Sequence, residues 1–219
     1  MGHWIEIATP HGPVAGWRVD PPAAPRGSIV VIQEIFGVNA HMRQVAEDFA
    51  AQGYAVLAPA YFDPIERGVQ LDYDAAGVAK GRELIAALGL EKAVDITACA
   101  AATLAGNGAA GTVGYCWGGT VALLAALLLG LPSVSYYGAR NVPFLGEAPK
   151  APVIFHFGEL DTSIPPEMVR KHRELLPQMP THLYPAGHGF NCDQRADYDD
   201  ASAQLARQRT LDFFAGTLE

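Results

Sequence analysis

Positive charge is scarce in this chain. Fifteen lysines and arginines stand against 23 aspartates and glutamates, giving a formal net charge of −8, and no stretch is rich in Lys or Arg. Without a basic stripe there is little to neutralise phosphates, which argues against a nucleic-acid partner. Cysteine is also scarce. Cys99, Cys116 and Cys192 make an odd number, with no C-x-x-C pair and no His/Cys cluster at zinc spacing. The expectation is three reduced thiols and neither a disulfide framework, a metal nor a cofactor. Long apolar runs are missing as well. The longest, "TVALLAALLLGL" from Thr120 to Leu131, falls short of the roughly 20 residues that cross a bilayer, and reads as a buried helix. The opening "MGHWIEIATPHG" has no basic segment followed by an apolar one, so no secretion signal and a cytoplasmic location are expected. No repeat, low-complexity tract or linker interrupts the 219 residues, half of them hydrophobic. Residues 1–219 are therefore read as a single domain with a sizeable core.

What is present is an alternation of strand and helix signals. "WIEI" (4–7) and "VAGWRV" (14–19) suggest an antiparallel hairpin. "SIVVIQE" (28–34) and "YAVLAP" (54–59) are continuous apolar runs, as expected of strands covered on both faces. A helix is expected over 39–53, with Asn39 as N-cap and Gly53 as its stop. Two helical stretches, 77–88 and 91–105, are split near Gly89. Further strands are expected at 110–115, 133–138, 152–158 and 181–185. Helices should follow Cys116, start at Pro165 and close the chain over 199–215. This order predicts an α/β fold, a mainly parallel central sheet with helices on both faces. The irregular segment 60–76 is the candidate lid or pocket wall.

The chemistry centres on "GTVGYCWGGT" (111–120). Gly114, Tyr115, Cys116, Trp117 and Gly118 read G-x-C-x-G between a strand and a helix, the nucleophile-elbow pattern with Cys in place of Ser. A helix N-terminus behind the thiol favours a thiolate, and the backbone N–H of Trp117 is placed to donate to an oxyanion. A nucleophile needs a base, and the base an orienting group. Asp161, just past the strand at 152–158, and His188, just past the strand at 181–185 and flanked by Gly187 and Gly189, complete the order nucleophile, acid, histidine. Other readings stay open at this point. The competing readings are Cys116 as a structural thiol, Asp161 as a helix N-cap and His188 as a turn residue, and Glu159 ranks second as the acid. His156, inside a strand, reads as core or as support for the site.

"QEIFGVN" (33–39), "GYCWGG" (114–119), "GELD" (158–161) and "AGHGF" (186–190) together resemble the dienelactone hydrolase family of the α/β-hydrolase superfamily. The resemblance runs over nearly the whole chain and implies an α/β-hydrolase fold and a lactone hydrolase with a Cys-His-Asp triad. It gives Cys116 as nucleophile, His188 as general base and acid, and Asp161 as orienter. It also implies a catalytic glutamate at Glu34, which would bond a neutral thiol or take its proton when substrate arrives, and a second oxyanion donor in the backbone N–H of Ile35. The chain departs from the family pattern in two respects: an arginine implied after the strand at 54–59 has only Lys80, Arg82 and the upstream Arg67 to match it, and the arginine after the histidine motif is missing. An arginine in H-x-F-x-R grips the substrate carboxylate, whereas here "HGFNC" places Cys192. A bidentate guanidinium is the usual clamp on a planar carboxylate. Arg82 and Arg195 are the candidate replacements, and Phe36, Tyr61, Tyr137 and Phe190 the candidate apolar contacts.

The expected function is cysteine-dependent hydrolysis of lactones or small activated esters through a thioester, with a small-molecule substrate as the only expected partner. The alternatives are an esterase or thioesterase on a neutral carbonyl substrate, and a non-enzymatic thiol sensor.

Overall fold

The runs with no polar face become strands buried along their whole length. In the computed structural model, which describes residues 2–219, β3 (Ser28–Ile32) and β4 (Ala55–Pro59) are buried at every position. Ahead of them come β1 (His3–Ile7) and β2 (Val14–Val19), whose partly exposed side chains suit the antiparallel edge they form. β2 pairs antiparallel with β4, and β3 pairs parallel with β4. β3 ends two residues before the expected Glu34. There the Gln33 side chain accepts the Tyr61 N–H at 3.3 Å and donates to the Glu34 carbonyl, which takes the chain out of the ladder.

Two helices belong with these strands. α1 (Ala40–Ala51) starts where Asn39 Oδ1 accepts the Met42 N–H at 3.1 Å, and buries Met42, Val45, Ala46 and Phe49 at helical spacing. α2 (Ala75–Thr103) is capped by Asp74 and carries a break at Gly89, φ 75° and ψ 165°, where the sequence suggested a split. Segment 60–76 is a series of turns. The Asp63 carboxylate accepts the Ala15 and Gly68 N–H groups, and Gly37 and Gln70 form a bridge. These elements, with residues 218 and 219, make up the first of two compact units, which extends to Thr112.

The second unit is residues 113–217. β5 (Ala110–Tyr115) leads through Cys116 into α3 (Trp117–Leu124), which widens into a π turn over Ala125–Leu129, with Leu131 N–H reaching the Ala125 carbonyl at 3.3 Å. β6 (Ser133–Tyr136), β7 (Val153–Gly158) and β8 (Thr181–Tyr184) run parallel. α4 (Pro166–Leu175) and α5 (Asp200–Leu218) complete it. The two helices meet opposite faces of β7. Phe155 and Phe157 pack against His172 of α4, whereas the intervening His156 bonds to Thr210 of α5. The sheet has eight strands in the order β1-β2-β4-β3-β5-β6-β7-β8, mostly parallel, as an α/β fold requires. None of Cys99, Cys116 and Cys192 is held in a disulfide. Among the described residues no helix is long and apolar enough to cross a membrane.

Candidate active site

Glycines decide the geometry around Cys116. A Cβ on Gly114 would fall on the carbonyl of Gly118, and one on Gly119 would press on the Tyr136 carbonyl and on Gly138. Only bare backbone lets β5, the turn and α3 come this close. The turn residue takes up the strain: Cys116 has φ 55° and ψ −116°, one of two non-glycine residues with positive φ among those described. The Cys116 N–H donates to the Tyr136 carbonyl at 3.0 Å, and its carbonyl accepts the Gly119 N–H at 3.0 Å. Sγ is thus left at the head of α3, as a nucleophile elbow requires.

The acid and the base come from the ends of β7 and β8. A Cβ on Gly158 would fall on the Ala186 carbonyl, so these two strand exits are pressed together. Glu159 N–H donates to the Tyr184 carbonyl at 2.7 Å and Leu160 N–H to the Ala186 carbonyl at 3.0 Å. Asp161 follows, its side chain fully buried. Oδ1 accepts the Ser163 N–H at 2.8 Å, and Oδ2 lies 2.7 Å from His188 Nδ1. His188 Nε2 lies 3.2 Å from Cys116 Sγ. The side chains of Cys116, His188 and Asp161 therefore stand in series at hydrogen-bonding distance. Asp161 is not the N-cap of α4; Pro165 holds that place, without a side-chain cap. Glu159 is exposed, and His188 Nδ1 meets Asp161 instead.

The electrostatics follow from this series. Burial opposes a charge on His188, but the hydrogen bonds to Asp161 and Cys116 and the charges of both outweigh it, pushing the His188 pKa up to about 10. The imidazolium is the favoured form at neutral pH. The ring is walled by Tyr137, centroids 5.1 Å apart, which in turn packs on Phe190 at 5.4 Å. Tyr137 is the second residue with positive φ, and its N–H donates to the His156 carbonyl at 2.8 Å. The glycines beside His188 also have reasons. A Cβ on Gly187 would stand 2.7 Å from an Asp197 carboxylate oxygen, and one on Gly189 would stand 2.6 Å from the guanidinium carbon of Arg195.

The second unit thus brings together Cys116, Asp161, His188, Tyr137, Phe190 and Arg195 from the expected set, with Trp117 buried at the start of α3. Cys192, at the position where the resemblance implied an arginine, is wholly buried. The other candidates belong to the first unit. Glu34 and Ile35 are buried just past β3, and a Cβ on Gly81 of α2 would fall on the Ile35 carbonyl. Phe36 packs against Tyr73 with ring centroids 4.5 Å apart and planes tilted by 53°. Tyr61 is fully buried with its hydroxyl 2.7 Å from Thr97 Oγ1, and Arg82 is exposed on α2.

Beneath the site runs a polar network that the sequence did not reveal. His156 is fully buried, with Nδ1 2.7 Å from the Tyr184 hydroxyl and Nε2 3.2 Å from Thr210 Oγ1. Thr210 Oγ1 is 2.7 Å from the Tyr136 hydroxyl, and Arg209 donates to the Tyr184 hydroxyl at 3.1 Å. One member comes from each of three strands and two, Arg209 and Thr210, from α5, so no local spacing marks the set.

Residues 14–218 match the model of the dienelactone hydrolase family. Among curated proteins, the carboxymethylenebutenolidase of Pseudomonas putida is 35% identical over 224 residues, covering 96% of this chain and 95% of that protein. Carboxymethylenebutenolidase 1 of Cupriavidus pinatubonensis is 30% identical over 226 residues, with 96% and 95% covered. A crystal structure from Klebsiella pneumoniae, of a protein whose name assigns it to the dienelactone hydrolases, superposes with a TM-score of 0.86 at 27% identity and 98% coverage of both chains. An esterase from Pyrococcus furiosus shares the fold at a TM-score of 0.73 and 16% identity, over 100% of this chain and 92% of that one.

Proposed function

The chain belongs to the dienelactone hydrolase family, and from that premise we propose that it is a cysteine hydrolase of lactones and small activated esters. In this reading Cys116 is the nucleophile, His188 the proton carrier and Asp161 its orienter. The observation that carries it is the series Sγ–Nε2 at 3.2 Å and Nδ1–Oδ2 at 2.7 Å, built on a strained elbow at the head of a helix.

The steps follow from those atoms. Sγ, its negative charge stabilised by the adjacent imidazolium, attacks the carbonyl carbon and the carbonyl oxygen becomes an oxyanion. The backbone N–H of Trp117, next to the nucleophile at the head of α3, is the donor proposed for that charge. The ring C–O bond then breaks, and the departing oxygen takes the proton from His188 Nε2. A thioester on Cys116 remains. Water gives a proton to Nε2 and attacks the thioester, the C–S bond breaks, and the carboxylic acid leaves. A thiolate leaves a tetrahedral intermediate more readily than an alkoxide does. The forward step is productive only when the departing oxygen is itself a good leaving group, and enols and phenols meet that condition. This supports enol lactones and aryl esters as the substrate class and argues against peptides.

The test is a rapid quench of the enzyme during turnover of an aryl ester, followed by intact-mass and peptide analysis. A hydroxylamine-sensitive acyl group on Cys116 is the expected result. An acyl group on another residue, with Cys116 unmodified, overturns the reading.

A further inference from the structure

The polar network under the site has one self-consistent set of proton positions, and its members hold the site by their backbone. Thr210 Oγ1 donates its single proton to the Ala206 carbonyl at 2.9 Å. Its two remaining neighbours must then donate to it: the Tyr136 hydroxyl at 2.7 Å and His156 Nε2–H at 3.2 Å. With its proton on Nε2, His156 accepts at Nδ1 from the Tyr184 hydroxyl, whose oxygen in turn accepts from Arg209 Nη1. Every polar atom of this buried chain is used, as a buried network requires. A neutral His156 also agrees with its surroundings: burial holds its pKa well below the ordinary range, and His182 and Arg209 push the same way.

The sheet register explains how the three ring-bearing members meet. Tyr136 is opposite His156, Gly158 is opposite Tyr184, and positions 156 and 158 share a face of β7. The same three residues offer their carbonyls to the site. Tyr136 O accepts the Cys116 N–H at 3.0 Å, and His156 O accepts the Tyr137 N–H at 2.8 Å. Tyr184 O accepts the Glu159 N–H at 2.7 Å, at the root of the loop to Asp161, and the Ala186 N–H at 2.8 Å, two residues before His188.

We propose that Tyr136, His156, Tyr184 and Thr210 are positioning residues for the hydrolytic reaction: their side chains lock three strand ends in register, and the carbonyls of Tyr136, His156 and Tyr184 fix the backbone that carries the nucleophile, the acid and the base. The proposal rests on the reading that Cys116, Asp161 and His188 carry turnover. Thr210→Val keeps the shape of the side chain but removes the acceptor, leaving two buried donors unpaired. The expected result is a fall of about tenfold in kcat with KM within about twofold, since small misplacements of reacting groups act on the chemical step. Amide hydrogen exchange at Cys116 and Glu159 should quicken, and Thr210→Ser should restore both. Tyr184→Phe, which keeps the ring and removes one hydroxyl, is the second probe and should behave as Thr210→Val does.

Cys116→Ala, assayed beside these variants, separates the two claims. If it is inactive while Thr210→Val and Tyr184→Phe keep wild-type kcat and exchange rates, the positioning role is wrong and the nucleophile reading stands. If it turns over normally, the nucleophile reading fails and the catalytic role of the network falls with it. Slow, fast-exchanging Thr210→Val and Tyr184→Phe, a restored Thr210→Ser and an inactive Cys116→Ala support the proposal.

Discussion

His188 and His156 sit at two ends of one construction, and their protons go opposite ways. Both rings are shielded from water, which by itself penalises the charged form. At the strand ends, His188 faces the buried carboxylate of Asp161 and the thiol of Cys116, and its pKa is pushed up to about 10. In the strand interior, His156 hydrogen-bonds to hydroxyls, stacks on His182 and has Arg209 nearby, and burial with these neighbours holds it neutral. On the other face of β7, His172 is neutral by a third arrangement. Nδ1 donates to the Met168 carbonyl at 2.8 Å, Asn141 lies 3.2 Å from Nε2, two phenylalanine rings enclose it, and burial lowers its pKa to about 4. Burial excludes a proton unless a carboxylate is buried alongside. That is what separates an imidazole suited to proton transfer from one that serves to hold strands and helices together.

The contrast breaks most severely at Asp161. Asp161→Asn keeps the shape but replaces the acceptor opposite His188 Nδ1 with an amide, favouring the wrong tautomer; kcat/KM should fall on the order of 10³-fold, with the fold retained by circular dichroism. A rate within a few fold of wild type would remove Asp161 from the proposed machinery. The contrast sharpens in an NMR titration of the imidazole Cε1–H signals. His188 should titrate near pH 10, far above the ordinary 6.5, while His172 holds off its proton until about pH 4. In Asp161→Asn the His188 midpoint should drop toward the ordinary value. A wild-type His188 midpoint near 6.5 would contradict the electrostatic account.

The smallest effect is on stability. The folded pKa of His172 lies below the unfolded 6.5, so the unfolded chain binds the extra proton, and stability is lost as pH falls from about 6.5 toward 4. Between pH 7 and pH 5 this amounts to about 2 kcal/mol. His156 acts in the same direction. His188, raised instead of lowered, contributes its stability in full below 6.5 and loses it as pH rises through about 10, which offsets part of the acid loss. Urea unfolding at the two pH values, for wild type and His172→Gln, isolates the His172 share. The variant should lose about 2 kcal/mol less than wild type, and an equal loss in both would show that His172 is not excluding its proton.

The strand ends were legible in the sequence and the strand interior was not. Cys116, Asp161 and His188 each follow a recognisable strand, and glycines crowd the first and last of them because backbone or side chains press in from across the turn. Those are local signals, and a single sequence carries them. Asn39 as a cap and Gly89 as a break were local too. The tie through Tyr136, His156, Tyr184 and Thr210 depends on the register of three strands and the rotation of α5, which no local pattern encodes. The aromatic candidates show the same limit. Position at a strand end picked out both Tyr137, which meets His188, and Tyr61, whose hydroxyl is taken by Thr97 in the buried interior of the first unit. Arg195 was picked out as a replacement for a missing arginine, and nothing in the sequence signalled that its guanidinium lies against Gly189.

The central claim is that the thiol of Cys116, paired with His188, carries the chemistry. Its most direct test is the initial rate of hydrolysis for wild type and Cys116→Ala across carboxylated dienelactones, neutral lactones and aryl acetates. The account predicts turnover of enol lactones or aryl esters by the wild type and none above background by the variant. A Cys116→Ala protein that hydrolyses these substrates at the wild-type rate would contradict it.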